Sequence, residues 1–263
     1  MNNKQYTIED LIAIVKRLRA PDGCPWDRVQ THQSIKKDLI EESYEAIDAL
    51  DNGSDHDFAN ELGDVLLQVV FHSELASERD SFDFNDVVGE ICNKLISRHT
   101  HVFGPDNAGN AEEALTNWEK NKKKEKGLET FTQVLKDVPG YYPALMRAAK
   151  VQKKAKKSVG FDWDNIDDVW AKVYEELDEL KEANTSGERE RIEEEFGDFL
   201  FAAVNLSRFM DVDAESVLAA GCGKFIRRFE LMEQEAKARG LDLEKLSLEE
   251  QDKIWNEIKH KKA

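Results

Sequence analysis

Several things are scarce in this 263-residue chain, and each scarcity narrows what it can be. Cysteine occurs three times, at Cys24, Cys92 and Cys222, without C-x-x-C spacing. That odd, scattered set excludes a disulfide framework and a zinc site, and implies reduced thiols in a cytoplasmic protein. Five prolines and 14 glycines are too few turn-formers for a β-sandwich or barrel. Basic residues are outnumbered, 37 Lys+Arg against 54 Asp+Glu, for a formal net charge of −17. A general nucleic-acid binder needs a basic footprint to release counterions, so no nucleic-acid partner is expected. The longest apolar runs, Val65–Phe71 and Phe199–Val204, fall far short of the roughly 20 residues that cross a bilayer, and no membrane is expected. The N-terminus carries Glu9 and Asp10 inside an amphipathic pattern, unlike a signal peptide.

What the chain does have is helical periodicity. Ile8, Leu11, Ile12, Val15 and Leu18 form one apolar stripe; Leu39, Tyr44, Ile47 and Leu50 form another, followed by Leu62, Leu66, Val69 and Val70. Val169, Val173, Leu177 and Leu180, then Phe196, Leu200, Ala203, Val204 and Phe209, repeat the pattern. No period-2 run stands between hairpin turns, so the expected fold is all-α. Gly104–Gly140 holds a Gly-Pro step, an Asn/Gly/Ala segment, the lysine run Lys120 to Lys126 and Pro139-Gly140. This composition predicts a domain at 1–125, a linker at 126–140 and a second domain at 141–263.

The two halves repeat each other. Trp26-Asp27, Glu41-Glu42-x-x-Glu45, Glu61-Leu62-Gly63-Asp64, Lys94-x-x-x-Arg98 and Trp118 occur in that order. Trp163-Asp164, Glu175-Glu176-x-x-Glu179, Glu195-Phe196-Gly197-Asp198, Lys224-x-x-x-Arg228 and Trp255 follow in the same order. Glu45 and Glu61 are 16 positions apart, as are Glu179 and Glu195, so the chain reads as a tandem duplication of a helical unit.

On a helix, positions i and i+3 share a face, so Glu42 and Glu45 point together, as do Glu61 and Asp64. The 16-residue offset fits a helix end, a short loop and the start of an antiparallel neighbour. Four converging carboxylates repel one another unless a cation compensates them, and oxygen-only ligation suits Mg²⁺ or Mn²⁺. In so acidic a chain four acids at fixed offsets arise by chance at ~0.002 per register, so one copy carries little weight as a motif. The ordered recurrence, with a basic pair and a tryptophan downstream, carries more. Gly63 and Gly197 interrupt helical patterns at a cost of about 1 kcal/mol each, which points to close approach of a ligand or backbone, or to tight helix packing. Lys224 and Arg228, like Lys94 and Arg98, lie at i and i+4 and can hold phosphate oxygens. Trp255 and Trp118 can stack on a base, although a lone pair of cations is usually a solvated face and a lone tryptophan usually core. Phosphate-binding loops of the G-x-x-x-x-G-K-[ST] and G-x-G-x-x-G types are absent, as is G-x-S-x-G.

Glu-Glu-x-x-Glu followed by Glu-x-x-Asp resembles the MazG family of nucleoside triphosphate pyrophosphohydrolases. Gly23-Cys24-Pro25-Trp26-Asp27, Arg98-His99-Thr100-His101-Val102-Phe103 and Val159-Gly160-Phe161-Asp162-Trp163 extend the likeness over the whole chain, in the form of tandem bacterial members. The resemblance implies two tandem helical-bundle domains, a homodimer, and Mg²⁺-dependent hydrolysis of nucleoside triphosphates to monophosphate and pyrophosphate. It also implies broad base tolerance and a role in cleaning nucleotide pools. It places metal on Glu176, Glu179, Glu195 and Asp198, with Glu42, Glu45, Glu61 and Asp64 as N-terminal counterparts. Nucleotide contacts fall on Lys172, Glu175, Lys224, Arg228 and Trp255, with Lys94, Arg98 and Trp118 as counterparts. Gly221-Cys222-Gly223 is a less helical lead into Lys224 than the resemblance implies.

The chemistry follows from these parts. Glu175 or Glu176 can orient or deprotonate the attacking water, and Lys224 and Arg228 can stabilise the leaving pyrophosphate. The C-terminal half is expected to be the main catalytic domain. It has the denser acidic run Glu193-Glu194-Glu195, and the basic segment Lys150–Lys157 precedes it and can draw in a triphosphate. The competing reading is a non-catalytic, metal-stabilised regulatory protein whose duplicated bundle is a docking surface; a third is a phosphohydrolase that releases orthophosphate.

Overall fold

The computed structural model describes residues 5–260, and every regular element among them is a helix. The chain forms two compact units, residues 1–125 and 126–263. The first contains α1 (Ile8–Arg19), α2 (Pro25–Val29), α3 (Asp38–Asn52), α4 (Asp55–Ser77), α5 (Phe84–Arg98), α6 (Thr100–Phe103) and α7 (Ala111–Glu125). The second contains α8 (Phe131–Lys136), α9 (Ala144–Val159), α10 (Ile166–Ser186), α11 (Arg189–Phe209), α12 (Ala214–Ala238) and α13 (Leu248–His260), with a 3₁₀ turn at Leu243–Lys245. No helix among the described residues is long and apolar enough to cross a membrane.

Local chemistry starts these helices where the side chains allow it. The Thr7 hydroxyl accepts from the Asp10 N–H while the Asp10 carboxylate accepts from the Thr7 N–H, so the acids near the N-terminus form a capping box. Ser54 and Asp57 do the same at the start of α4, directly after Gly53 ends α3. The corresponding turn of the second unit is made by Gly187 at φ +75°, a left-handed residue that closes α10 one step before α11. Each unit is therefore built around one antiparallel pair, α3 with α4 and α10 with α11.

The cores sit beside these pairs. Val15 of α1, Ile35, and Val70, Phe71 and Leu75 of α4 form the first cluster. Arg19, its side chain almost fully buried, fastens α1 to the end of α4. It donates to both Glu78 oxygens at 2.6 and 2.7 Å and lies 5.3 Å over the Phe71 ring. In the second unit Val169 and Val173 of α10 meet Ala202 and Leu206 of α11. A separate cluster of Met232, Ala236, Ile254 and Ile258 joins α12 to α13. Fully burying one such aliphatic side chain contributes about 1.5–3 kcal/mol.

Two expectations from sequence are corrected, and one apolar stripe lies open to solvent. Residues 126–140 are not a structureless linker: they carry α8, opened by a Thr130–Gln133 capping box, and Asp137 receives Lys126 and Lys154. Composition weighted the glycines and lysines there and missed one amphipathic turn. Gly221-Cys222-Gly223 does not delay a helix start, because α12 begins at Ala214 under an Asp213 cap and runs through all three residues. A helix of 25 residues tolerates glycines that cost about 1 kcal/mol each. The stripe Leu39, Tyr44, Ile47 and Leu50 is exposed, as are Leu62 and Leu66, since α3 buries only Ala46.

The α9–α10 connection is held by a buried ion pair. Asp162 accepts from Arg208 of α11, and Lys156 lies 3.0 Å from its other oxygen. Burial opposes ionisation of Asp162, but Arg208 and Lys156 together keep its pKa below the ordinary aspartate value. Arg208→Met leaves a buried carboxylate short of a partner and should cost about 3 kcal/mol in denaturant titration. Because the folded pKa is depressed, the stabilisation is complete above about pH 4 and lost as pH falls through the folded value. Asp162→Asn should flatten that acid limb; an unchanged limb in the variant would refute the linkage.

Candidate metal and nucleotide site

The antiparallel pairs bring three of the four expected acids together in each unit. Glu42 and Glu45 on α3 and Glu61 on α4 each present a carboxylate oxygen, and these atoms lie within 4.8 Å of one another. Glu176 and Glu179 on α10 and Glu195 on α11 do the same in the second unit. The fourth acid stands beside each trio: Asp64 acts electrostatically on Glu42, and exposed Asp198 lines a cavity together with Glu176.

The electrostatics record the crowding. Partial burial, then the charges of Asp64, Glu45, Glu61 and Asp38, raise the pKa of Glu42 above the ordinary glutamate value. Loss of solvent, then Glu195, Glu176 and Glu175, raises that of Glu179, against an opposing effect from Lys172. Lys172 donates to Glu175 and sits 2.8 Å from Glu176, and these two hydrogen-bonded carboxylates push its own pKa upward. The two units differ here. Four residues before Glu176 stands Lys172, whereas four residues before Glu42 stands Asp38, which adds to the repulsion. Arg191 approaches Glu195 at 3.8 Å from the same helix. An oxygen-only donor set on two facing helices, with raised carboxylate pKa values, fits a hard divalent cation.

The other predicted residues lie elsewhere. Lys224 and Arg228 are on α12 and have no ion-pair partner among the described residues. Trp255 packs in the α12–α13 core, 5.1 Å from Phe225. In the first unit Lys94 reaches Glu90 at 3.5 Å, and Arg98 donates twice to Glu125 at 2.9 Å. Trp118 lies under Arg98 at 5.4 Å and Lys122 at 5.0 Å. In the basic segment of α9, Lys154 is bound to Asp137 and Lys156 to Asp162. A Cβ built at Gly63 or Gly197 meets nothing within 4 Å, so neither glycine serves tight packing within the described chain.

Sequence reasoning missed the polar residues behind the second acidic trio. Gln152 and Asn205 are buried, and with Arg208 they line the cavity that Glu176 and Asp198 border. An amide interrupting an apolar helical face, as Gln152 does beside Val151 and Ala155, was the available signal.

Comparison with known proteins places this architecture. Residues 30–103 and 165–231 each match the MazG nucleotide pyrophosphohydrolase domain, one match for each acidic trio. The chain belongs to the MazG family. It is 47% identical over 259 residues to the nucleoside triphosphate pyrophosphohydrolase/pyrophosphatase MazG of Thermotoga maritima, covering 98% of each chain. It is 43% identical over 255 residues to the nucleoside triphosphate pyrophosphohydrolase of Escherichia coli K12, covering 96% of this chain and 97% of that one. It is also 44% identical over 247 residues to the uncharacterized protein YabN of Bacillus subtilis 168, covering 94% of this chain and 50% of that protein.

If the trios are cation sites, their repulsion is relieved by metal or by neutral substitution. A chain carrying both Glu45→Gln and Glu179→Gln should melt higher than the native protein in chelator. It should also lose most of the rise in melting temperature that millimolar Mn²⁺ gives the native chain. An equal rise in both would remove these glutamates from metal binding.

Proposed function

We propose that this chain hydrolyses nucleoside triphosphates to the monophosphate and pyrophosphate, with Mg²⁺ (or Mn²⁺) held by Glu176, Glu179, Glu195 and Asp198. The observation that carries this reading is the glutamate trio converging from an antiparallel helix pair, present twice. The names borne by the Thermotoga and Escherichia relatives support it. Bound there, the ion supplies neutralisation of phosphate charge and Lewis acidity toward water.

The chain's own groups do the rest. Glu175, held by Lys172 at the edge of the trio, is placed to orient or accept a proton from the attacking water. Lys172 carries a firmly held proton and supplies a positive charge where phosphate oxygens gather. Lys224 and Arg228, without carboxylate partners among the described residues, are available to the leaving pyrophosphate. Trp255, partly buried at the edge of the α12–α13 core, is the nucleotide-contacting tryptophan of this unit in the same reading. We place the main activity in the second unit, where a lysine tempers the acidic cluster. The Glu42, Glu45, Glu61 and Asp64 cluster, with Lys94, Arg98 and Trp118, is the secondary site. Acceptance of several bases, and with it a role in cleaning nucleotide pools, follows from a site organised around the shared triphosphate. The exposed apolar residues of α3, Tyr44, Ile47 and Leu50 among them, support a homodimer that covers them.

Pyrophosphate release from mixed nucleoside triphosphates should require Mg²⁺ and stop in excess chelator. Glu176→Ala/Glu179→Ala should lower the rate by roughly a hundredfold or more, and Glu42→Ala/Glu45→Ala by much less. Orthophosphate as the product, or full activity in chelator, overturns the reading. No turnover with any triphosphate favours a metal-stabilised regulatory protein. Loss of activity only in the Glu42/Glu45 variant reverses the assignment of the units.

A further inference from the structure

Two histidines meet in the first unit, and neither enters the functional reading above. His32 lies in residues 30–37, the irregular segment that joins α2 to α3. His72 lies on α4, about 16 Å along that helix from Glu61. Their rings stack with centroids 5.1 Å apart and planes 6° from parallel, and the two Nδ1 atoms are 2.8 Å apart. On the other side of the His32 ring, Nε2 is 2.8 Å from Nη2 of Arg79, just beyond the end of α4. Both rings are half-buried.

These contacts fix the protonation of both rings. An arginine only donates, so His32 Nε2 must accept, and the ring is neutral with its hydrogen on Nδ1. That Nδ1–H donates to His72 Nδ1, so His72 is neutral too, with its hydrogen on Nε2. A proton added to either ring sets N–H against N–H: on His32 Nε2 it faces Arg79, and on His72 Nδ1 it faces the His32 Nδ1–H. The charges acting on the pair are Arg79 and, from α1, Arg19; Glu78 is taken up by Arg19, to which it offers both oxygens. Loss of solvent, then Arg79 and Arg19, lowers the pKa of His32, and loss of solvent, then His32, lowers that of His72. The same two arginines disfavour a metal ion between the imidazoles.

The hydrogen on His72 Nε2 is buried and has no partner among the described residues. A buried donor without an acceptor offsets part of what the pair contributes, so the closed arrangement stands near balance. The segment itself is lightly fastened: of residues 30–37 only Ile35 is buried. It leads directly into α3, whose Glu42 and Glu45 belong to the first trio. The shared fold does not need this pair. In the register set by the four acids, Leu206 of the second unit stands where the first has His72, and it lies in the α10–α11 core.

We propose that His32 and His72 form a proton-sensitive latch, which closes the α2–α3 segment onto α4 while both rings are neutral and releases it, with the first turn of α3, when mild acid charges them. The latch belongs to the first unit alone, and it stands whatever either unit hydrolyses. The closed form refuses protons that the released form takes up at the ordinary histidine pKa of about 6.5. Closure is therefore complete above that pH and is lost as pH falls below it, toward the lowered pKa values of the closed pair. Between pH 7.5 and 5.5 one ring shifts the equilibrium by up to about tenfold and two rings by up to about a hundredfold.

The test is hydrogen exchange of the full-length protein at pH 7.5 and 5.5, each corrected for its intrinsic rate. Protection of residues 31–41 should fall by about tenfold or more at the lower pH, while that of α11 in the second unit stays within about twofold. His72→Leu, which gives the first unit the side chain that the second carries there, should bring the change in residues 31–41 within about twofold. Unchanged protection in the native chain overturns the proposal, as does an equal loss in α11. A tenfold fall that survives in folded His72→Leu also overturns it, because the acid sensitivity then belongs to other groups. Should His72→Leu fail to fold, the native exchange and the nitrogen shifts of the native imidazoles decide. At pH 7.5 those shifts should place hydrogens on His32 Nδ1 and His72 Nε2, and both rings should titrate with midpoints below about 6.5. A charged ring at pH 7.5, or the opposite tautomer on either histidine, overturns the latch.

Discussion

Like charges held close together govern this molecule. In each unit three glutamate oxygens lie within 4.8 Å of one another, a distance at which carboxylates repel strongly once partly removed from water. Helix propensity does not require that arrangement; loss of solvent first, and the neighbouring carboxylates after it, raise the pKa of Glu42 and Glu179. The antiparallel pairs impose it: tight turns at Gly53-Ser54 and at Gly187 set the register, and in the second unit the apolar contacts of Val169 and Val173 with Ala202 and Leu206 hold the two helices together. A scaffold that holds such repulsion is preorganised for a cation, since the reorganisation is met during folding rather than at binding.

The duplication lets each unit serve as a control for the other. The hairpin, the trio and the i,i+3 spacing occur in both, so they belong to the shared device. The differences fall close around it. Lys172 answers Asp38, Ala202 answers Gln68, and Asn205 answers Phe71. The first exchange converts a purely anionic edge into one that can meet a phosphate. The other two put smaller side chains along the wall of the second unit's cavity. All three changes fall close to the second trio and make its surroundings less acidic and less crowded than those of the first.

Much of this was legible from sequence because the relevant rules are local. The helical period, the i,i+3 pairing of Glu42 with Glu45 and of Glu176 with Glu179, and the constant offset to Glu61 and Glu195 together anticipate the hairpin and the trio. The missed features depend on contacts between residues remote in sequence. Gln152 becomes significant only when Phe201, 49 positions on, claims its amide nitrogen. Trp255 reads as a base-stacking surface, and its packing beside Phe225 at the edge of the α12–α13 core is not visible from spacing. The α3 stripe shows the helical period, but periodicity establishes only that a face is apolar, not what covers it. Residues 126–140 read as a linker because glycine and lysine frequency outweighed one short capped turn.

The overall charge sets a last constraint. A protein at −17 repels a free triphosphate at long range, although salt screens that field beyond about 8 Å at physiological ionic strength. Binding must therefore be decided within the last few ångströms, where individual groups matter more than the net sum. In the second unit Lys172 stands at the boundary between the trio and the apolar cavity, hydrogen-bonded to Glu175 and lying against Glu176. A nucleotide differs from inorganic phosphate in having an uncharged, flat end, which gains from burial regardless of the protein's field. Setting an apolar cavity beside an acidic trio separates the two problems. Apolar surface buried in such a cavity is not opposed by the surrounding negative charge, whereas any charged group near the trio meets the carboxylates directly.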